Sequence, residues 1–330
     1  MDKILLDHGS GGVASQELLS AIFLKHLTSP VLHAMEDCAL LEEHSGRIAF
    51  STDSYVGDPL FFPGGNIGTL AVNGTINNLA MRGAMPLALS LSVVIEEGFP
   101  VTMLDEIVRS IGKSSMEAGV AVVTGDTKVV ARGKVDGICI NTSGIGLVPL
   151  GEDISGGGAM PGDTVLLSGS LGEHGLAVMT CLGDCSEPLK ICSNTQPLHF
   201  LIQGIIEQYP SSLHALRDPT RGGLATSLVW LASSSGVCLE IFEDKLPIKA
   251  EVLEICNRTN HNPLYLGNEG VCILICSQDE AQNILQLMHS LPGGKEAVLI
   301  GQVVADPIGR VVLSRSNGDK VFLNALSTGF

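Results

Sequence analysis

Apolar positions recur at helical spacing in two early segments. Leu18, Leu19, Ile22 and Phe23 form one stripe behind Ser15, which predicts an N-capped helix. Leu104, Ile107, Val108 and Ile111 form a second; Thr102 and Asp105 there have capping-box spacing and Gly119 supplies the stop. Runs of β-branched and aliphatic residues bounded by Gly, Pro or Asp predict strands at 47–55, 87–95, 120–124, 137–147, 164–167 and 270–276. The fold class that follows is mixed α/β (α+β). Residues 154–163 hold three consecutive glycines and Pro161, and read as a linker between two element-rich halves. Two domains are expected, 1–150 and 151–330, and no fixed-period repeat is visible.

The longest uncharged stretch, 59–81, contains four Gly, four Asn and two Pro, whose polarity suits protein and water better than lipid. The N-terminal apolar run is broken by Asp7, so no signal-peptide core is expected. Nine cysteines, an odd number without a CxxC pair, fit reduced thiols in a cytoplasmic protein. Cys181, Cys185 and Cys192 have irregular spacing and do not suggest zinc, whereas Cys272 and Cys276 share a strand face and read as small core residues.

Composition narrows the function. Of 330 residues, 19 are Lys or Arg and 35 Asp or Glu, a formal net charge of −16, which argues against nucleic acid as a partner. Charged residues are 16%, against about 25% in ordinary globular proteins, and 39 glycines exceed the usual share of about 7%. The glycines concentrate in or near candidate chemistry: His8-Gly-Ser-Gly-Gly12, Gly125-Asp-Thr-Lys128 and Asp218-Pro-Thr-Arg-Gly-Gly223. Such loops let backbone N–H groups approach phosphates. Neither a Walker loop nor GxGxxG occurs, which disfavours the familiar nucleotide folds.

Asp53 and Asp126 are expected to end strands, where carboxylates meet cations and phosphates, and Asp37 is a third candidate; singly, each also fits a turn or cap aspartate. Asn73 and Asn77 stand i,i+4 on one helical face beside Asn78, open to two readings, amide ligands or a solvated polar face. Lys128 is placed in a loop, suited to neutralising phosphate or moving a proton. Glu269, directly before a strand, is a candidate base or a surface turn residue.

These segments, with Thr52-Asp-Ser-Tyr-Val56, Pro59-Leu-Phe-Phe-Pro-Gly-Gly65, Ile95-Glu-Glu-Gly98, Thr124-Gly-Asp-Thr-Lys-Val-Val130 and Asn268-Glu-Gly270, run in order over nearly the whole chain. Together they resemble the HypE family of hydrogenase-maturation proteins, within the AIR-synthetase (PurM)-like ATP-binding superfamily. The resemblance implies two α/β domains, the first pairing strands with a second copy in a homodimer and the second closing over ATP. It places Gly9, Ser10, Gly11 and Gly12 over the nucleotide and makes Asn73, Asn77, Thr127, Asp218 and Arg221 further ATP-site residues. Asp37, Asp53 and Asp126 become ligands of Mg²⁺ and the phosphates. The implied reaction is ATP-dependent dehydration of a carbamoyl group on a C-terminal cysteine to a thiocyanate, the source of cyanide for iron in [NiFe]-hydrogenase. Lys128 and Glu269 carry its proton and charge steps, with the base left open. The implied partners are the carbamoyl transferase HypF and the HypC–HypD iron scaffold.

Two departures stand out. Relatives commonly have Asp where this chain has Asn78, a neutral ligand for a charged one. HypE proteins end in Pro-Arg-Ile-Cys, whereas this sequence stops at Ser327-Thr-Gly-Phe330 without the carrier thiol, and a natural chain continuing to that cysteine is expected. Other AIR-synthetase-like enzymes (AIR synthetase, thiamine-phosphate kinase, selenophosphate synthetase) and a noncatalytic ATP-binding scaffold are the alternatives.

Overall fold

The computed structural model describes residues 2–9, 13–33, 35, 38–39, 41, 45–57, 59–182 and 191–326. It divides into two units, Met1–Leu79 with Met85–Leu147, and Ala80–Ala84 with Val148–Phe330.

In the first unit, α1 (Val13–Leu18) continues through a π-helical turn, Leu19–Phe23, into α2 (Leu24–His26), and α3 (Pro30–His33) follows. Next come β1 (Arg47–Val56), the short β2 (Phe61–Phe62) and β3 (Gly65–Asn66), α4 (Ile67–Ala80), β4 (Met85–Glu96), α5 (Val101–Ala118), β5 (Ala121–Val130) and β6 (Ile138–Val148). Four strands form a sheet in the order β1-β6-β4-β5, with β4 antiparallel to β6 and parallel to β5. Period-two alternation buries Leu91, Val93, Ile95, Ile138 and Ile140 in one core with Ala71, Val72 and Ile76 of α4 and Leu104, Ile107, Val108 and Ile111 of α5. Each of these Leu, Ile and Val side chains contributes about 1.5–3 kcal/mol on burial. The other face, with Ser92, Val94, Asn141 and Ser143, is only half-buried.

The second unit contains β7 (Thr164–Leu167), α6 (Glu173–Cys181), α7 (His199–Gln208), β8 (Leu213–Arg217), α8 (Gly223–Ser235), β9 (Cys238–Phe242), α9 (Ala250–Thr259), β10 (Ile273–Cys276), α10 (Ala281–Ser290), β11 (Val298–Val304), β12 (Arg310–Ser314) and β13 (Lys320–Leu323). Its seven-stranded sheet has the order β13-β12-β9-β11-β7-β10-β8. Both faces are covered: Val165, Leu167, Ile273 and Ile275 pack with α8, while Leu166, Leu274, Cys272 and Cys276 pack with α7 and α10. Cys272 and Cys276 are thus core residues, and burial pushes both thiols up to about 12.

Several expectations change. Ser15 lies inside α1 and its hydroxyl donates to Asp7 O at 3.4 Å. α5 starts after Pro100, which has no capping side chain; Asp105 instead pairs with Lys25 Nζ at 2.9 Å and His26 Nε2 at 3.0 Å, which holds its carboxyl below the usual range. The segment 154–163 is docked coil of the second unit rather than a free linker. Ile154 and Ala159 are buried there, and a Cβ on Gly158 would meet His214 O at 2.2 Å, so its glycine permits close packing. Asp53 and Asp126 lie within strands, and Lys128 is in β5, not a loop. β5 carries these charges because it is an edge strand: parallel pairing with β4 satisfies one side of its backbone, and Asp126 and Lys128 stand exposed.

Candidate active site

In the first unit, Asn141 of β6 fixes the carboxylate strand: its Nδ2 donates to Asp53 O at 2.9 Å, Ser54 Oγ at 3.0 Å and Thr52 Oγ1 at 3.2 Å. Ser143 Oγ donates to Thr52 Oγ1 at 2.9 Å, so Thr52 shares the half-buried face with Asn141 and Ser143. Alternation then puts Asp53 and Tyr55 on the helix side. There Tyr55 Oη donates to Asp53 Oδ2 at 3.3 Å, and Ser54 N–H donates to Oδ1 at 2.9 Å. The Tyr55 hydroxyl stands against Gly74 of α4, where a Cβ would be only 2.2 Å away. Asn73 and Asn77 are 3% and 1% exposed, so this part of α4 is not a solvated polar face, and Asn78 is half-buried. Asn66 caps α4, accepting from the Gly68 and Thr69 N–H groups at 2.9 and 3.2 Å.

Asp126 and Lys128, both exposed, follow the opposite rule. Asp126 pairs with Ser92, which pairs with Asn141, so Asp126 and Lys128 are on the Thr52 face, away from Asp53. β1 and β5 are also the two edges of the sheet, three strand spacings or about 14 Å apart at ~4.8 Å per strand. Asp53 and Asp126 therefore face apart within a single copy of the chain. Asp37, the third expected ligand, lies outside the described residues, as do Ser10, Gly11 and Gly12. Among the described residues no group of three or more His, Cys, Asp or Glu is placed to hold a metal. Thr127 is half-buried in β5. Gly9 ends a 3₁₀ turn and abuts β5, where a Cβ would sit 2.7 Å from Val129 N; only a glycine fits next to Lys128's strand neighbour.

In the second unit, Asp218 and Arg221 are on the β8–α8 loop, with Asp218 half-buried and Arg221 exposed. Gly222 and Gly223 take φ of 72° and 62° to turn the chain into α8, whose N-terminus has no capping side chain and, with the nearby Arg221, suits a phosphate chemically. Glu269 is half-buried in a loop held on both sides. Gly175 N–H donates to Gly267 O at 3.0 Å and Gln196 Nε2 to Gly270 O at 2.9 Å. Asn268, fully buried, accepts at Oδ1 from Gly172 N–H at 2.8 Å and donates from Nδ2 to Leu266 O at 2.9 Å and Pro219 O at 3.3 Å.

Around this loop stand groups the sequence reading did not single out. His174 Nδ1 meets Ser193 Oγ at 2.8 Å, and burial lowers the imidazole to about 4, so it stays neutral. Ser170 donates to the Glu173 carboxylate, whose other oxygen takes Lys249 Nζ at 2.8 Å; that hydrogen bond raises the Lys249 ammonium above its ordinary value. Tyr265 Oη donates to Asn324 O at 3.0 Å and Leu326 N–H to Thr226 Oγ1 at 3.2 Å, so residues 324–326 run past the segments that lead to Glu269 and from Arg221. Ser170-Leu-Gly-Glu-His174 is a glycine-bearing turn directly after a strand, the one signal that could have drawn attention to this cluster. A groove of 260 Å³ between the α2–α3 connection and the end of α5 contains none of the candidate residues.

Comparison with known proteins bears on the fold and the family. The N-terminal domain of AIR synthase related proteins matches residues 35–148 and their C-terminal domain residues 160–314, which defines the class as the two-domain AIR synthase fold. Carbamoyl dehydratase HypE of Rhizobium leguminosarum bv. viciae is 46% identical over 304 residues, 92% of this chain and 87% of that protein. The crystal structure of the hydrogenase maturation protein HypE in complex with ATP superposes with a TM-score of 0.93 at 42% identity over 98% of both chains. That of a HypE–HypF complex does so with a TM-score of 0.82 at 42% identity, covering 96% of this chain and 100% of the other. The chain belongs to the HypE family of hydrogenase maturation enzymes, the carbamoyl dehydratases. No helix among the described residues is long and apolar enough to cross a membrane.

Proposed function

We propose that the protein binds ATP and uses it to dehydrate a thiocarbamate, carried on a C-terminal cysteine, to a thiocyanate. The observation that carries this reading is the match, over 98% of the chain, to a HypE whose crystal structure holds ATP. In the reaction the carbamoyl oxygen attacks the γ-phosphorus and ADP leaves. The C–O bond then breaks with phosphate as leaving group, and both N–H protons are lost, leaving S–C≡N. The half-buried Glu269 is assigned the proton abstraction, because its loop is fixed while its side chain is partly open. Lys128 is assigned the charge that develops on oxygen or phosphate. Gly9 through Gly12, Asn73, Asn77, Thr127, Asp218 and Arg221 are assigned to nucleotide binding on the family resemblance. Mg²⁺ as the counter-ion of ATP rests on that resemblance alone.

Homodimerisation is part of the proposal: β1 is an edge strand that exposes Ile48, Phe50 and Val56, at 76%, 68% and 74%, in a row suited to a second copy. HypF is proposed as the partner that loads the carbamoyl group, and HypC–HypD as the acceptor of cyanide. The test supplies the protein with ATP and a peptide ending in S-carbamoylcysteine, following phosphate release and peptide mass. One phosphate per water lost from the peptide is expected, with Glu269→Gln and Lys128→Met folded but inactive. Phosphate release with no change in the peptide, or wild-type turnover by both variants, would overturn the assignment.

A further inference from the structure

We propose that Asn268 is the positioning residue for Glu269, a buried amide that joins three loops and sets the direction of the side chain that follows it. The proposal rests on the role given to Glu269 above. Asn268 is 0% exposed and both its amide protons are used. Its Oδ1 holds the Gly172 N–H of the β7–α6 loop; its Nδ2 holds Leu266 O of its own loop and Pro219 O of the β8–α8 loop. The Asn268 N–H also donates to Pro219 O at 3.0 Å, so side chain and main chain grip one carbonyl and fix the peptide plane just before Glu269. The grip is reinforced where no side chain would fit: a Cβ on Gly223 would lie 2.6 Å from both Leu264 O and Leu266 O.

All of these partners are backbone groups, and the set demands one acceptor and two donors on a short planar side chain. Among the residues, asparagine meets that demand at this length. Aspartate has the same shape and keeps the bond from Gly172. Its second oxygen, however, faces two carbonyl oxygens and is tolerated there only when protonated, a form that burial and those carbonyls favour. Asn268→Asp should therefore be an enzyme whose defect is relieved by acid, whereas loss of packing alone has no such signature.

The experiment measures kcat and KM for the full chain, wild type, Asn268→Asp and Asn268→Ser, on ATP and the S-carbamoylcysteine peptide, with Tm at each pH. Between about pH 8.5 and about pH 6, the ratio of the Asn268→Asp kcat to the wild-type kcat should rise about tenfold or more as one proton is taken up. KM for ATP should stay within about twofold of wild type, a change of under half a kcal/mol. Asn268→Ser, too short to reach Gly172, should be slow at every pH. A ratio that does not change with pH, or an Asn268→Ser variant with wild-type kcat, would overturn the proposal. If Asn268→Asp does not fold at high pH, the Asn268→Ser kcat decides. Should wild type itself fail to turn over the peptide, the assigned reaction falls, and hydrogen exchange of the Gly172 amide then tests the clamp. Protection lost in Asn268→Ser supports it, and unchanged protection overturns it.

Discussion

The contact between Tyr55 and Gly74 can be tested as a two-residue cycle. An alanine at 74 would place its methyl 2.2 Å from the Tyr55 hydroxyl, and contacts under 3.0 Å are not sustained, so the ring must retreat by at least 3.0 − 2.2 = 0.8 Å. The hydrogen bond to Asp53 Oδ2, already 3.3 Å long, would then open. Overpacking of this kind costs about 1–3 kcal/mol, and the lost hydrogen bond about 1 kcal/mol more. Replacing a mid-helix glycine returns about 0.5–1 kcal/mol. Gly74→Ala should therefore be destabilising by about 1–3 kcal/mol. In the Tyr55→Phe background the offending oxygen is absent and the next atom, the ring carbon that bore it, is 3.2 Å away. There the helix term dominates and Gly74→Ala should be neutral or stabilising by up to about 1 kcal/mol. The single tryptophan, Trp230, is in the second unit, so hydrogen exchange across α4, rather than fluorescence, reads the right region. A coupling energy under about 0.3 kcal/mol between the two sites would refute the reasoning, because it would mean that the hydroxyl and the methyl do not compete for one space.

Two further outcomes follow from burial. His174 is held near 4 against an ordinary 6.5, chiefly by burial, so the folded state resists a proton that the unfolded state accepts. Stability should fall as pH drops from 6.5 toward 4, by about 3 kcal/mol from this group, and His174→Gln should remove that part of the slope; an identical acid profile would count against it. Cys272 and Cys276, pushed up to about 12, should not react with a thiol reagent at about pH 8 in the native protein, while the exposed Cys38, Cys181 and Cys192 should. Rapid native labelling at Cys272 would contradict the described core.

What could be read from the sequence depended on whether the controlling contacts were local. β7 appears at its expected bounds because Thr164 to Leu167 is an unbroken run buried on both faces. α5 is legible from Leu104, Ile107, Val108 and Ile111, all fully buried on one stripe. The Gly125-Asp-Thr-Lys128 segment looked like a loop, since a glycine and two charges are poor strand formers; its strand is imposed by the parallel register with Leu91 to Val94. The strings carrying the family resemblance pointed to the residues without their arrangement. That Asp53 and Asp126 face apart follows from the pairing register across the sheet, which no local pattern contains. Asn268 was visible only as the neighbour of Glu269, because its partners at Pro219 and Gly172 are 49 and 96 residues away and are backbone atoms.

The candidate residues share a mode of placement that bears on how substitutions should be interpreted. Asp53 is aimed by strand alternation, two short-range donors and the space left at Gly74; Glu269 is aimed by a neutral amide and neighbouring carbonyls. The Ser54 N–H and Tyr55 hydroxyl at Asp53, and the Gly172 N–H at Asn268, are uncharged donors, in contrast to the Lys249–Glu173 pair, where an ammonium holds a carboxylate directly. Removing the charge of Glu269 by the isosteric glutamine should then alter chemistry while leaving the loop in place. Changing Gly74 or Asn268 should leave every candidate charge present but misdirected. Paired substitutions of the two kinds separate what a side chain does from where it is held. For Asn268→Asp with Glu269→Gln, the acid recovery of kcat should vanish, because a correctly held loop without its carboxylate has nothing to position.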